Sequence, residues 1–239
     1  MSLKAILFDF NGIIIKDESI HQQLLDEILE RENIRPEEAE YREVCLGRSD
    51  RACLRDIFAL HGRFVQENFL TRLIKGKNKA YKKRLEQLET LPLYPGLEDF
   101  LAKIQAQGLL MGIVTGALRS EVKLVLNRAQ IAQYFSIIVA GNDVKGSKPE
   151  PVGYLRALRL LYRQNIYRQI RAENCLAIED SLAGIQAAKQ AGIQVVGVAN
   201  TYPYYMMQRH ANWSVDSLSE LELDRVEQVF AKVGSGALE

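Results

Sequence analysis

An α/β fold is predicted for this chain: a doubly wound parallel sheet with an all-helical cap domain inserted after its first strand. Three observations predict it. Short apolar runs in the sequence are apolar on both faces, as strands sandwiched between helices must be. In the second half of the 239-residue chain these runs alternate with helical segments. Between the first run and the rest, from Asp17 to Leu91, no strand run occurs and apolar residues recur at helical spacing.

Taken in order, residues 3–10 (LKAILFDF) are too short for a helix and read as a buried strand. The next block places Leu24, Leu25, Ile28 and Leu29, then Leu54, Ile57 and Phe58, then Phe69, Leu70, Leu73 and Ile74 on helix faces. Pro92 and the turn-like Tyr94-Pro95-Gly96 close it. Strands are then expected at 109–115 (LLMGIVT), 136–141 (SIIVAG), 174–180 (NCLAIED) and 194–200 (QVVGVAN), separated by helices. The predicted organisation is an α/β core from 1–16 and 92–233, a helical cap over 17–91 and a small polar tail at 234–239. The segment 199–213, rich in tyrosine and methionine, reads either as a helix packed on the sheet or as an exposed partner surface.

Composition narrows the function classes. A formal net charge of +1 gives no global reason to expect nucleic acid or an anionic membrane as partner. No apolar run approaches membrane-spanning length, and the first residues run straight into the predicted strand rather than a signal peptide's apolar region, so none is expected. Cys45, Cys53 and Cys175 lack metal-ligand spacing, and their odd number argues against a disulfide framework, so a cytoplasmic location is expected. Oligomeric state is left open.

Chemistry gathers in four segments, each read as lying at the C-terminal end of an apolar run: FDFNG (8–12), VTG (114–116), GSKPEP (146–151) and IEDS (178–181). In a doubly wound sheet, ligands bind at the carboxyl ends of the strands, which would bring Asp9, Thr115, Lys148 and Asp180 to one crevice. Carboxylates, a hydroxyl and a lysine form a sensible inventory for holding a phosphoryl group against a divalent cation. Each segment also has a plain structural reading. Asn11-Gly12 suits a hairpin turn, Thr115-Gly116 a turn or helix cap, Lys148 a solvated surface, and Glu179-Asp180 a helix N-terminus. Their joint presence favours the chemical reading.

From Lys4 to about Phe230 the chain resembles the haloacid dehalogenase superfamily, in its phosphatase and β-phosphoglucomutase-like branch with a helical cap, and the four segments carry the resemblance. It implies a Rossmann-like core, with Asp9 as a nucleophile that forms an aspartyl-phosphate. Thr115, through its hydroxyl and backbone N–H, and Gly116 would bind the phosphate, and Lys148 would neutralise charge. Mg²⁺ would be held by Asp9, the Asn11 carbonyl and Asp180, with Glu179 as ligand or partner. His21 matches a histidine of the branch and is a candidate proton donor or substrate contact. LGRSDR (46–51), with Arg51, resembles the substrate-specificity loop, and Lys77 in KNKAY a substrate-facing lysine. Where the mutases carry Arg and Lys for a second phosphate this chain has Asp50 and Leu118, which disfavours mutase activity.

Asn11 is the departure that matters most. The family normally has a second Asp there, which protonates the leaving oxygen and then deprotonates water, and an amide does neither. The expected function is a magnesium-dependent phosphatase of a small phosphorylated metabolite, such as a sugar phosphate or phosphoglycolate, with turnover slowed by Asn11. The alternatives are a phosphate-ester-binding or regulatory protein and a β-phosphoglucomutase-like phosphomutase. Asn11-Gly12 is also a dipeptide prone to deamidation, which would regenerate an Asp.

Overall fold

Strands form where the apolar runs were expected. The computed structural model of the chain describes residues 2–35, 37–164 and 169–235. β1 (Ala5–Phe8), β2 (Leu110–Val114), β3 (Ile137–Val139), β4 (Cys175–Glu179) and β5 (Gln194–Val198) lie within the predicted segments. β6 (Trp213–Val215) was not expected. These strands form one parallel sheet in the order β3-β2-β1-β4-β5-β6. The chain moves outward from β1 through β2 to β3, then returns to the other side of β1 for β4. Strand order therefore reverses beside β1, and the crevice of a doubly wound fold opens there.

Register fixes what emerges at the crevice. Phe8 pairs with Ile113 of β2 and Ile178 of β4, so Asp9 leaves the sheet level with Glu179 and Thr115 leaves β2 one step further on. One face of the sheet, with Ile6, Phe8, Met111, Ile113, Leu176 and Ile178, packs on α5 (Leu97–Ala106), α6 (Arg119–Arg128) and α10 (Leu223–Ser235). The other face, with Ala5, Leu7, Val114, Ala177 and Val195, packs on α7 (Val152–Gln164), α8 (Leu182–Gln190) and α9 (Tyr204–His210). Of the tail expected at 234–239, α10 includes the first two residues, and 236–239 lie outside the described residues.

The insertion between β1 and β2 is helical, with α1 (Glu18–Arg31), α2 (Glu38–Val44), α3 (Asp50–Leu60) and α4 (Glu67–Glu86). These helices bury a core of their own from Leu25, Ile28, Leu29, Leu54, Ile57, Phe58, Leu70 and Ile74. Tyr81, Leu85 and Leu24 instead join the main core, so the bases of α1 and α4 are anchored to the sheet domain.

One expectation is corrected. Cys45 and Cys53 form a disulfide, with Cα atoms 4.6 Å apart, while Cys175 is free and buried. Cys45 follows the end of α2 and Cys53 sits in the first turn of α3, and the tight loop between the two helices turns the cysteines toward each other. An odd count excluded a complete framework but not a single bridge. In the aromatic segment, α9 packs on the sheet through buried Met207, while Tyr204 and Tyr205 stay exposed. No helix among the described residues is long and apolar enough to cross a membrane.

Candidate active site

The carboxyl edge of the sheet gathers a dense buried cluster. Asp9, Glu179 and Asp180 each bring a carboxylate oxygen within 4.8 Å of the others, and all three side chains are buried. Lys148 reaches in from the loop before α7, with its Nζ 2.8 Å from Asp9 Oδ2 and 2.6 Å from Glu179 Oε1. The backbone N–H of Phe10 donates to Asp9 Oδ1 at 2.7 Å, and the Tyr154 hydroxyl donates to Glu179 Oε1 at 2.5 Å. The Thr201 hydroxyl donates to Asp180.

Gly12 makes the approach of Asp180 possible. Its φ of +77° suits glycine, and a Cβ there would lie 1.8 Å from Asp180 Oδ2.

Three acids against one lysine leave the cluster short of positive charge. Burial, then the neighbouring Asp9 charge, push Glu179 up to about 8, although Lys148 and Tyr154 act against the shift. Burial and Asp9 likewise hold Asp180 well above the usual carboxylate range. Burial would lower Lys148, but the charges of Asp9 and Glu179 outweigh it and hold the ammonium firmly protonated.

A cavity of about 80 Å³ lies over this cluster, lined from below by Asp9, Asn11, Thr115, Gly116 and Asp180 and from above by Glu18, His21, Gly47, Asp50 and Lys77. The helical cap meets the core around this small cavity. The loop between α2 and α3 makes the seal. The Ser49 N–H donates to Ser147 Oγ at 2.8 Å, and a Cβ on Gly116 would lie 2.8 Å from the Arg48 carbonyl oxygen. Cys45 and Cys53 line the same cavity, so the disulfide ties the sealing loop directly.

The predicted residues meet there with exceptions. Asp9, Asn11, His21, Lys77, Thr115, Gly116 and Asp180 line the cavity, while Lys148 and Glu179 lie directly behind Asp9. Arg51 is not brought in. Asp50 takes the inward position on the first turn of α3 and pairs with Lys77 Nζ at 2.6 Å, which turns Arg51 outward to Glu67 on α4. The Thr115 backbone N–H is not free for a phosphate, because it donates to Val139 O at 3.0 Å. Its hydroxyl oxygen accepts from the Ala117 N–H at 3.1 Å, which leaves the hydroxyl proton to donate.

Asn11 is held firmly. Its Nδ2 donates to Asp17 Oδ1 at 2.9 Å and lies 3.1 Å from Oδ2, so the carboxylate fixes which branch of the amide is nitrogen. The Gly12 N–H, which would attack the side chain in deamidation, donates instead to Ile15 O at 3.0 Å. With both reacting groups tied, the folded chain shields this dipeptide from deamidation. His21 carries the network into the cap. Its Nε2 is 3.2 Å from Asp17, its Nδ1 is 2.7 Å from Lys77 Nζ, and its ring stacks on Tyr81. An ammonium on Nδ1 makes that nitrogen the acceptor and puts the ring proton on Nε2. Nε2 also lies 3.1 Å from Asn11 Nδ2, so both ring nitrogens are in contact with neighbouring side chains.

Sequence reasoning missed Asp17, Tyr81 and Glu18. Asp17 and His21 are four apart, as are Lys77 and Tyr81, and that spacing signals side chains stacked on one helix face. Glu18 lines the cavity with Oε1 buried and without a hydrogen-bond partner, and burial raises it to about 7.

A family model described as haloacid dehalogenase-like hydrolase matches residues 6–198. The chain is similar to protein CbbY of Rhodobacter capsulatus, with 27% identity over 224 residues that cover 92% of this chain and 95% of the relative. It is similar to the phosphorylated carbohydrates phosphatase of Thermotoga maritima, with 25% identity over 201 residues, 83% of this chain and 87% of that protein. The crystal structure of β-phosphoglucomutase from Clostridium difficile shares the fold with a TM-score of 0.83 over 97% of this chain and 98% of that one, at 23% identity.

Proposed function

The chain belongs to the haloacid dehalogenase-like hydrolase family, and from that premise we propose that it is a magnesium-dependent phosphatase of a small phosphorylated carbohydrate or related metabolite, acting through an aspartyl-phosphate on Asp9. Membership makes it an enzyme of phosphatase or phosphomutase kind. The observation that carries the finer reading is the Asp9 carboxylate, poised at the floor of a capped cavity between Lys148 and two further buried acids.

The donor set fits a hard divalent cation. All-oxygen ligands suit Mg²⁺, and a cation bound among these buried acids would replace the protons that burial and the Asp9 charge hold on Glu179 and Asp180. Asp9, Asp180 and the Asn11 carbonyl would hold it, with Glu179 as ligand or partner, and the bound ion would offset charge on the transferring phosphoryl group. Asp9 attacks phosphorus, forming an O–P bond as the ester P–O bond breaks with its electron pair on the leaving oxygen. Lys148 pairs with the Asp9 carboxylate across 2.8 Å, and the Thr115 hydroxyl orients a phosphate oxygen. The closed cap excludes bulk water during the first step. Water then attacks the phosphorus of the aspartyl-phosphate, the Asp9 O–P bond breaks to return the carboxylate, and inorganic phosphate leaves with the water's proton passed to solvent.

Asn11 supplies no proton to the leaving oxygen, which must take one from water. The lost acid–base group costs on the order of a hundredfold to ten-thousandfold in rate. That one residue also favours the second reading, a protein that binds phosphate esters with little turnover. The mutase reading loses support at Asp50, whose carboxylate already faces Lys77.

A panel of phosphate esters, assayed with Mg²⁺ and with chelator, tests the proposal. Cation-dependent hydrolysis of small sugar phosphates by the natural chain is the expected result. Activity that appears only in Asn11→Asp would establish the binding protein instead.

Cation binding should also register in stability. Glu179, raised from 4.5 to about 8, and Glu18, raised from 4.5 to about 7, hold protons in the folded state that the unfolded chain releases. The chelator-treated protein should therefore lose stability as pH rises from 4.5 toward 8. Asp17 and Asp50 are held below their ordinary 3.8, so their contribution is already complete above that value and does not cancel the trend. Added Mg²⁺ should raise the melting temperature most at the upper end of the window, and a pH-independent increment would speak against the carboxylate cluster as the site.

A further inference from the structure

Asp17 occupies the N-cap position of α1, yet its carboxylate makes no capping hydrogen bond to the helix. An aspartate there ordinarily spends its side chain on the free N–H groups of the first turn. Here the fully buried carboxylate takes the Asn11 amide at 2.9 Å, His21 Nε2 at 3.2 Å and the Tyr81 hydroxyl at 2.5 Å. It therefore joins the core loop after β1 to α1 and α4 of the cap. It does not line the cavity, whereas Asn11 does.

We propose that Asp17 is a positioning residue that holds the Asn11 carboxamide with its nitrogen turned inward and its oxygen turned toward the reacting centre, so that position 11 orients water instead of transferring a proton. The proposal rests on the phosphatase reading above. A carboxamide is planar, so committing Nδ2 to Asp17 decides where Oδ1 points. An amide oxygen in that place accepts a hydrogen bond from water and aligns it, as a glutamine does in GTP hydrolysis. The same geometry explains why a carboxylate at position 11 alone would not be a simple gain. Carboxylates at both positions 11 and 17 would set like charges about 3 Å apart in a buried site, where repulsion is strong.

Four proteins test this: the natural chain, Asp17→Asn, Asn11→Asp and the swap Asn11→Asp/Asp17→Asn. The swap exchanges carboxylate and amide but keeps one of each. Asp17→Asn should lower kcat by about ten- to a hundredfold, the usual range for a supporting partner behind a reactive site. KM should barely change, because Asp17 does not reach the cavity. Asn11→Asp alone should melt lower than the natural chain. The swap should recover the melting temperature and exceed Asn11→Asp in kcat. A change in KM rather than kcat for Asp17→Asn would overturn the proposal, as would equal kcat and additive melting shifts across the four. If none of the four hydrolyses any ester, the phosphatase reading fails. The melting cycle then still decides whether residues 11 and 17 act as a pair, and additive shifts would refute it.

Discussion

Asp9→Asn is expected to eliminate phosphate-ester hydrolysis, with kcat lower by about four to six orders of magnitude, the scale on which an enzyme loses its covalent nucleophile. The expectation comes from where the carboxylate stands. One oxygen accepts the Phe10 N–H and the other faces Lys148, so the group is oriented and its charge is balanced before substrate arrives. An amide of the same size keeps the Phe10 contact through its oxygen but has no anionic oxygen with which to attack phosphorus. Folding should not suffer. Asp9 is the principal neighbouring charge that raises both Glu179 and Asp180, and its neutralisation relieves that repulsion while Lys148 keeps Glu179 as partner. The melting temperature should hold or rise as turnover disappears. Steady-state kinetics beside thermal denaturation of the same sample make the check. Residual turnover close to the natural rate would mean that Asp9 is not the nucleophile or that another enzyme contaminates the sample.

Much of this site was legible in the sequence because strand ends are. β1, β2, β4 and β5 are unbroken apolar runs, and a doubly wound sheet delivers the residues just past each run to one edge, so Asp9, Thr115 and Asp180 could be grouped without coordinates. β6 escaped because Trp213–Val215 is three half-buried residues at the sheet margin, with no apolar run to mark it. The Asp17 network escaped for a different reason. Its members lie on a core loop, α1 and α4, and only the packing of two helices against each other brings Tyr81 and Asn11 to the same carboxylate. Helix-face spacing marks Asp17 with His21 and Lys77 with Tyr81 as pairs, but not that the pairs face one another. Backbone pairing was equally invisible, and so the Thr115 N–H, a plausible phosphate donor on paper, proves to be committed to β3.

Lys148→Met should damage stability and catalysis together, and the two losses can be separated. Methionine fills most of the volume but leaves Asp9, Glu179 and Asp180 buried with no cation among them. Removing one partner of a buried ion pair typically costs about 3–5 kcal/mol, because the remaining charge stays desolvated. Protonation would relieve part of the strain, so the stability loss should grow as pH rises from 4.5, more steeply than in the natural chain. Loss of the charge beside Asp9, the proposed nucleophile, should lower kcat by roughly a further hundredfold to thousandfold, as for other fixed electrostatic partners of a transition state. Divalent cation distinguishes the effects. A more negative cluster should bind Mg²⁺ at least as tightly, so added Mg²⁺ should restore more of the melting temperature in Lys148→Met than it adds to the natural protein. Turnover should not return with it, because the ion replaces the missing charge but not the placement of an ammonium between Asp9 and Glu179. Recovery of both by Mg²⁺ would reduce Lys148 to a counter-ion, and retention of full activity without rescue would remove it from the chemistry altogether.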